Sequence, residues 1–152
     1  MNRWMGIATI TWSALGGLAD TGAAQTNEVR AAMDATLIAW QQGDFTALAA
    51  QYHPAARGFF LDGGALLRGF NQPLLDAAYA AGVRASFTPR DVDVAVYGDV
   101  AVAVAMLDGT LTLPDGSTQQ GPWRYSETRA RQNGRWLIVQ YHFSPRTPPP
   151  IR

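Results

Sequence analysis

The first half of the chain alternates apolar and polar residues with a helical period. From Asn27 the apolar side chains recur every three or four positions, which predicts a helix, capped by Thr26 or Asn27, with the buried stripe Val29, Met33, Leu37 and Trp40. Gly43-Asp44 is predicted to end this helix and cap a second one, which Pro54 stops. The second stripe consists of Phe45, Leu48, Ala49 and Tyr52.

A short hairpin and a third helix are predicted next. Residues 57–61 and 65–68 read as two strands around a tight turn at Asp62-Gly63-Gly64, where Asp62 is interpreted as a solvated turn residue. A third helix is predicted over about Gln72 to Ala81, ended by Gly82.

Strand alternation replaces the helical period after Ala85. Valines alternate with polar or small residues over 91–97 and again over 100–113, with turns at Gly98-Asp99 and Pro114-Asp115-Gly116. Asn133-Gly134 between two runs of β-formers predicts a final antiparallel hairpin. Helices followed by a meander of long strands indicate an α+β fold, with helices laid across one face of a curved sheet.

Alternation also assigns the two faces of the final hairpin. In its first arm Trp123, Tyr125, Glu127 and Arg129 share a face. In its second arm we expect the apolar set Leu137, Val139, Tyr141 and Phe143 to line the concave, helix-covered side. The outer face would then carry Trp136, Ile138, Gln140, His142 and Ser144, with His142 as an interface or structural residue.

Residues 1–24 are predicted to be a secretory signal peptide. Arg3 supplies a positive start, an uncharged apolar run follows, and small residues precede Gln25. The run is too short and too rich in Gly and Thr for a membrane span. We therefore expect residues 25–146 to form the domain, residues 147–152 a Pro-rich tail, and the protein to be exported, periplasmic or secreted.

Composition excludes several classes of function. The 12 basic residues balance the 12 acidic ones, so no electrostatic signature of nucleic-acid binding is present. Without lysine or cysteine the chain has no Schiff-base lysine, thiolate nucleophile or Cys-based zinc site. His53 and His142 are the two histidines and lack metal-site spacing, so we expect no metal and no cofactor.

Motifs in both halves resemble a known family. Ser126-Glu-Thr-Arg129, Gly134-Arg-Trp136 and Ile138–Ser144 are similar to the association domain of calcium/calmodulin-dependent protein kinase II, and more broadly to the SnoaL-like and nuclear transport factor 2-like superfamily. Trp40–Asp44 with Tyr52 resembles that group's first half. The resemblance implies a cone of about three helices packed on a strongly curved, mainly antiparallel sheet that encloses a pocket, and a homodimer or larger homo-oligomer formed through the outer sheet face.

The resemblance also implies a binding role for Arg129, whose counterpart in the association domain points into the pocket and helps to bind small carboxylates. Glu127 lies on the same face, about 6.6 Å along the strand, so an internal ion pair is the alternative to a ligand contact. The association domain carries a second pocket arginine where this chain has Phe143, which halves the positive charge.

Two further functions compete with small-molecule binding. The first is an isomerase or cyclase of the ketosteroid isomerase or SnoaL type, with Glu127 as general base and Tyr125 or Tyr141 as donor. Arg129 beside Glu127 weakens that hypothesis. The second is a structural oligomerisation module with a vestigial pocket. We favour an exported domain that binds a small molecule, with the predicted pocket residues Arg129, Glu127, Tyr125, Tyr141, Phe143, Tyr52 and Trp40.

Overall fold

The computed structural model describes residues 16–61 and 64–146, and side chains from residue 22 onward. The predicted turn residue Asp62, the Pro-rich tail and most of the predicted signal peptide lie outside these residues. Three helices and seven strands are present in the described ranges: α1 Gly16–Gln42, α2 Phe45–Ala49, β1 Tyr52–Phe59, β2 Leu67–Arg68, α3 Gln72–Ala80, β3 Arg84–Tyr97, β4 Val100–Thr112, β5 Thr118–Gln120, β6 Trp123–Gln132 and β7 Arg135–Pro145.

The strands form one curled sheet in the order β2-β1-β7-β6-β4-β3, with β5 paired to β4. Neighbouring strands run antiparallel except β1 and β7, which are parallel. Helix α1 packs across the concave face, mainly against β3. The predicted α+β class, with three helices on a mostly antiparallel curved sheet, is confirmed.

The predicted apolar stripe of α1 is buried. Val29, Met33 and Leu37 face the sheet, and Gly43 ends the helix with a positive φ of 69°. The predicted start near Asn27 is wrong, because α1 begins at Gly16 and passes without a break through the boundary expected between residues 24 and 25. Thr26 does not cap: its hydroxyl donates to the Gly22 carbonyl at 3.0 Å inside the helix.

Asp44 caps α2 as predicted, its side chain accepting from the Ala47 amide at 2.9 Å. The helix is shorter than expected, since it ends at Ala49 and Tyr52 is the first residue of β1. Pro54 cannot continue a helix, and it is accommodated where the pairing of β1 with β7 is irregular, between Tyr52 and Arg57.

The predicted final hairpin is confirmed, with positive φ at both Asn133 and Gly134. Its register contains an irregularity, however. Thr128 pairs with Gln140 but Arg129 pairs with Ile138, so β7 holds one extra residue, Val139. An extra residue of this kind is a β-bulge, and it reverses the faces of the strand on either side of it.

The bulge makes part of the predicted face assignment wrong. Trp136 and Ile138, expected on the outer face, are 5% and 0% exposed and point into the core. Beyond the bulge the prediction is confirmed, since Tyr141 and Phe143 are buried on the concave side. Leu137 and Val139, expected on the concave side, are half-buried.

Strand β4 turns its small residues inward. Ala101, Ala103 and Ala105 are buried, whereas the alternating Val100, Val102 and Val104 are 42%, 36% and 41% exposed. The inward alanines leave room for the helix and the aromatic core. The outer sheet face is consequently apolar along β4.

Candidate functional site

A cavity of about 260 Å³ lies between α1, α3 and the strands β1, β2 and β7. Five aromatic side chains form most of its wall: Trp40, Tyr52, Phe60, Phe70 and Tyr141. Three leucines complete the apolar lining: Leu67, Leu74 and Leu75. Arg68, Gly69 and Asn71 also line the cavity, where β2 leads into α3. The expected pocket is therefore present, and its interior is mainly aromatic.

The aromatic wall is held by ring contacts between different elements. Trp40 of α1 stacks on Phe60, with centroids 5.6 Å apart, and Tyr52 meets Tyr141 edge to face at 5.5 Å. Gly58 allows the Tyr141 ring to lie against β1, because a Cβ at this position would come within 2.5 Å of the Tyr141 carbonyl oxygen and 2.6 Å of the ring. A small residue in β1 thus sets the position of one cavity wall.

Among the described residues, Trp40 Nε1 is a buried polar atom of the cavity wall without a hydrogen-bond partner. It lies close to the side chain of Tyr52. Tyr52 and Tyr141 are 8% and 6% exposed and line the same cavity. Burial raises the pKa of both tyrosines, most strongly for Tyr52, so both remain neutral donors at physiological pH.

Arg129 and Glu127 form a fully buried ion pair. Arg129 Nε donates to Glu127 Oε1 at 2.6 Å and Nη2 to Oε2 at 3.1 Å, the forked geometry that suits a carboxylate. Nη2 also donates to Thr36 Oγ1 at 2.8 Å and to the Ala32 carbonyl at 3.2 Å, and Nη1 donates to the Trp136 carbonyl at 3.0 Å. Arg129 therefore links β6 to α1 and β7.

Tyr125 and Phe143 connect this ion pair to the cavity wall through a chain of contacts. The Tyr125 hydroxyl donates to Glu127 Oε2, and burial, followed by the charge of Glu127, raises the Tyr125 pKa well above its ordinary value. The Phe143 ring contacts Tyr125 at 4.5 Å and Phe60 at 5.1 Å between centroids. Phe143 thus replaces the charge expected from the resemblance with an apolar contact.

The seven residues predicted from the sequence separate into two layers. Trp40, Tyr52 and Tyr141 line the cavity. The other four lie beneath it, in the buried cluster just described: Phe143, Tyr125, Glu127 and Arg129. The ligand-binding roles predicted for these seven residues remain predictions. The layer that lines the cavity is aromatic, whereas the layer beneath it contains the buried ion pair.

Sequence reasoning missed the wall contributed by the segment from β1 to α3. Phe60, Phe70 and Leu75 line the cavity although none lies in a long periodic element. In the sequence these residues are recognisable only as apolar positions close to a two-residue strand and a short helix. The other residues of this region are about half exposed. That pattern indicates a buried site without indicating what lies opposite.

The described lining residues carry hydroxyl, indole, amide and guanidinium groups but no carboxylate and no imidazole. Glu127, the candidate general base, is 0% exposed and bound by Tyr125 and Arg129. Among the described residues no cluster of His, Cys, Asp or Glu could hold a metal ion. In the same ranges, no helix is both long enough and apolar enough to cross a bilayer.

Comparison with solved structures shows the fold. An NTF2-like protein from Cytophaga hutchinsonii superimposes with a TM-score of 0.68 at 17% identity, covering 80% of this chain and 98% of that one. A ketosteroid isomerase-like protein from Erwinia carotovora atroseptica gives 0.67, and the CaMKII association domain of C. elegans gives 0.65. Both are 19% identical and cover 82% of this chain and 98% of their own.

A comparison with curated proteins gives no match. The SnoaL-like domain family matches residues 29–148, which include both layers of the site. The structural neighbours share the curled sheet with its three helices, including the association domain to which the closing motifs were compared. The chain therefore belongs to the SnoaL-like domain family and has the NTF2-like fold.

Proposed function

We propose that this protein binds a small, mainly apolar molecule in the cavity between α1, α3 and β1. The observation that carries the proposal is an aromatic-walled cavity of about 260 Å³ whose wall also contains the polar groups of Tyr52, Tyr141 and Trp40. Cavities with apolar walls and a few convergent polar groups are the usual form of small-molecule sites. The aromatic lining favours a ligand that contains rings.

A carboxylate ligand held by Arg129 receives less support. The guanidinium is 0% exposed and its N–H groups face Glu127, Thr36 and backbone carbonyls. Binding a carboxylate there would require breaking a buried ion pair. The internal pairing considered from the sequence is the arrangement that the structure contains.

Catalysis of the isomerase or cyclase type is the alternative function, suggested by the likeness to a ketosteroid isomerase-like protein. Such chemistry needs an accessible base. The described cavity lining supplies donors but no carboxylate, and Glu127 is enclosed. The geometry therefore supports binding better than turnover.

The binding proposal can be tested with a neutral bicyclic probe such as naphthalene and the full chain, by fluorescence titration. We expect saturable binding that Leu75→Trp abolishes, because the larger ring would fill the cavity that Leu75 lines. Ile38→Trp is the matched control, since Ile38 is 53% exposed on α1. Equal binding by wild type and L75W, or no saturable binding, would refute the proposal.

We propose also that two copies associate through the outer sheet face. Tyr97, Val100, Val102 and Val104 are 69%, 42%, 36% and 41% exposed there, an apolar patch of the kind that marks interfaces. The patch lies on β3 and β4, next to the edge of the sheet. A two-fold axis through it would place the same apolar residues of two copies against each other.

Light scattering after gel filtration tests the association. We expect a dimer for wild type and a monomer for Val102→Arg, whereas Ile38→Arg, which changes an exposed apolar residue outside the patch, should remain dimeric. A wild-type monomer at high micromolar concentration would exclude this interface.

We propose that the protein is exported, on the basis of the charge and apolar pattern of residues 1–24. N-terminal sequencing of protein recovered from its native cells tests whether residues 1–24 have been removed. A chain that begins near Gln25 outside the cytosol supports the proposal, and an intact Met1 in the cytosol would overturn it.

A further inference from the structure

We propose that the mouth of the cavity binds the surface of an anionic phospholipid bilayer, with exposed leucines entering the interface and two arginines contacting lipid phosphates. The inference goes beyond the proposed binding function, because it concerns the outside of the cavity and a partner that the cavity does not enclose. Its basis is that exposed leucines, adjacent arginines and the opening of the cavity coincide at one edge of the sheet.

The mouth of the cavity is identified by lining residues that are also exposed. Leu67 and Leu74 both line the cavity, yet they are 43% and 59% exposed. Leu66, next to Leu67 in the chain, is 38% exposed. Leu67 belongs to β2, the edge strand of the sheet, and Leu74 to the first turn of α3. The cavity therefore opens between the sheet edge and α3, and these three residues are its rim leucines.

The rim leucines favour a bilayer over a protein as the partner. Neighbouring exposed apolar side chains mark sites of contact with proteins or membranes. A protein seated on the rim would close the cavity. A bilayer would take the leucines out of water and would bring a reservoir of apolar molecules to the open mouth.

Arg57 and Arg68 place positive charge beside the rim leucines. They lie directly opposite each other on β1 and β2, so their Cβ atoms are about 5 Å apart on one face of the sheet, and both are exposed. Within the described part of the chain, neither guanidinium has a hydrogen bond or an ion pair. An anion between them would relieve the repulsion of the two like charges, and the guanidinium fork matches a phosphate.

The attraction to an anionic surface has to be local, since the whole chain is formally neutral. Residues 64–75, which form the rim, contain Arg68 and neither Asp nor Glu. Asp76 follows, but it projects from α3 about 160° around the axis from Leu74. Because β2 is the edge strand, the long side chains of Arg57 and Arg68 can extend past the edge towards the plane of the rim leucines. Apolar insertion combined with positive charge is how peripheral proteins bind anionic membranes.

Sedimentation of the full chain with vesicles tests the charge contribution. One set of vesicles contains phosphatidylcholine alone, and the other contains equal parts of phosphatidylcholine and phosphatidylglycerol. We expect wild type to bind the mixed vesicles more tightly. Arg57→Gln/Arg68→Gln should weaken that binding by about fivefold for each arginine. The control Arg90→Gln/Arg124→Gln removes the same charge from exposed positions on β3 and β6, and it should bind nearly as tightly as wild type.

Leu74→Ser tests the apolar contribution and should weaken binding to the mixed vesicles by roughly tenfold. Ile38→Ser is the matched control, because Ile38 is 53% exposed on α1 and does not line the cavity. Circular dichroism verifies that both variants are folded.

Three results would overturn the inference. The first is a wild type that binds neither set of vesicles. The second is equal binding by wild type, L74S and R57Q/R68Q, because another part of the chain, such as residues 1–24, would then carry the binding. The third is a wild type that ignores vesicles and whose molar mass in light scattering falls in L74S, which would make a second copy the partner at the rim.

Discussion

Removing the charge of Arg129 should destabilise the fold more than any change at the surface. In Arg129→Met the carboxylate of Glu127 would keep the Tyr125 hydroxyl but lose both guanidinium contacts, at 2.6 and 3.1 Å, in a site that is 0% exposed. Breaking a buried ion pair by removing one partner costs about 3–5 kcal/mol, a large share of the roughly 5–15 kcal/mol that holds a domain folded. The contact with Thr36, which ties α1 to the sheet, would be lost as well.

The double variant Glu127→Leu/Arg129→Met distinguishes two contributions to the loss of stability: the unpaired charge of Glu127 and the lost hydrogen bonds of Arg129. With both charges gone no buried ion is left unpaired, so we expect the double variant to regain at least about 2 kcal/mol relative to R129M. Urea unfolding followed by circular dichroism measures both free energies, with an unchanged m-value as the check for two-state behaviour. Arg90→Met is the control, because the Arg90–Asp108 pair is exposed and its loss should leave the midpoint unchanged.

Two results would contradict this reasoning. One is an R129M variant within about 1 kcal/mol of wild type, the range of an ordinary surface or mildly disruptive substitution. The other is a double variant less stable than both single variants, which would mean that the lost contacts with α1 outweigh the unpaired charge. Thr36→Val serves as a milder probe if R129M does not fold, since it removes one acceptor of Arg129 and keeps the ion pair.

Three further changes have defined outcomes. Stability should fall above pH 10, the ordinary tyrosine pKa, since burial raises the folded-state pKa of Tyr52, Tyr125 and Tyr141 and only the unfolded chain then loses these protons; absorbance at 295 nm during alkaline unfolding reports it, and ionisation of all five tyrosines before unfolding would contradict it. Gly58→Ala should destabilise by about 1–3 kcal/mol and weaken probe binding, because its Cβ meets Tyr141; an unchanged melting temperature would disprove the clash. Asp44→Ala should cost about 1 kcal/mol in urea unfolding through loss of the α2 cap, whereas Asp44→Asn should cost little.

Local patterns predicted the elements well where the pattern was long. The stripe of Val29, Met33 and Leu37 identified the buried face of α1, and Asn133-Gly134 identified the final hairpin. Each depends on residues that are neighbours in sequence. Alternation also placed Glu127 and Arg129 on one face, close enough to pair.

Features that depend on distant residues could not be read in this way. The bulge at Val139 has no glycine or proline to mark it, and it inverted the expected faces of Trp136 and Ile138. Arg129 donates hydrogen bonds to Thr36 and Ala32, which are 93 and 97 positions away in the sequence. The periodicity of β6 gives no indication of these partners. The alternation of β6 therefore predicted the ion pair but not the hydrogen bonds from Arg129 to α1.

The position of β7 in the sheet has a consequence for synthesis of the chain. It is the last strand in the described sequence, yet it lies in the middle of the sheet and is the strand that joins β1 to β6. Until β7 leaves the ribosome, β1 can pair with β2 alone, and neither Tyr141 nor the parallel pairing that carries it is in place. Non-local pairing of this kind is slow and leaves unpaired backbone exposed. The wall that Tyr141 contributes to the cavity can therefore form only after nearly the whole domain has been translated.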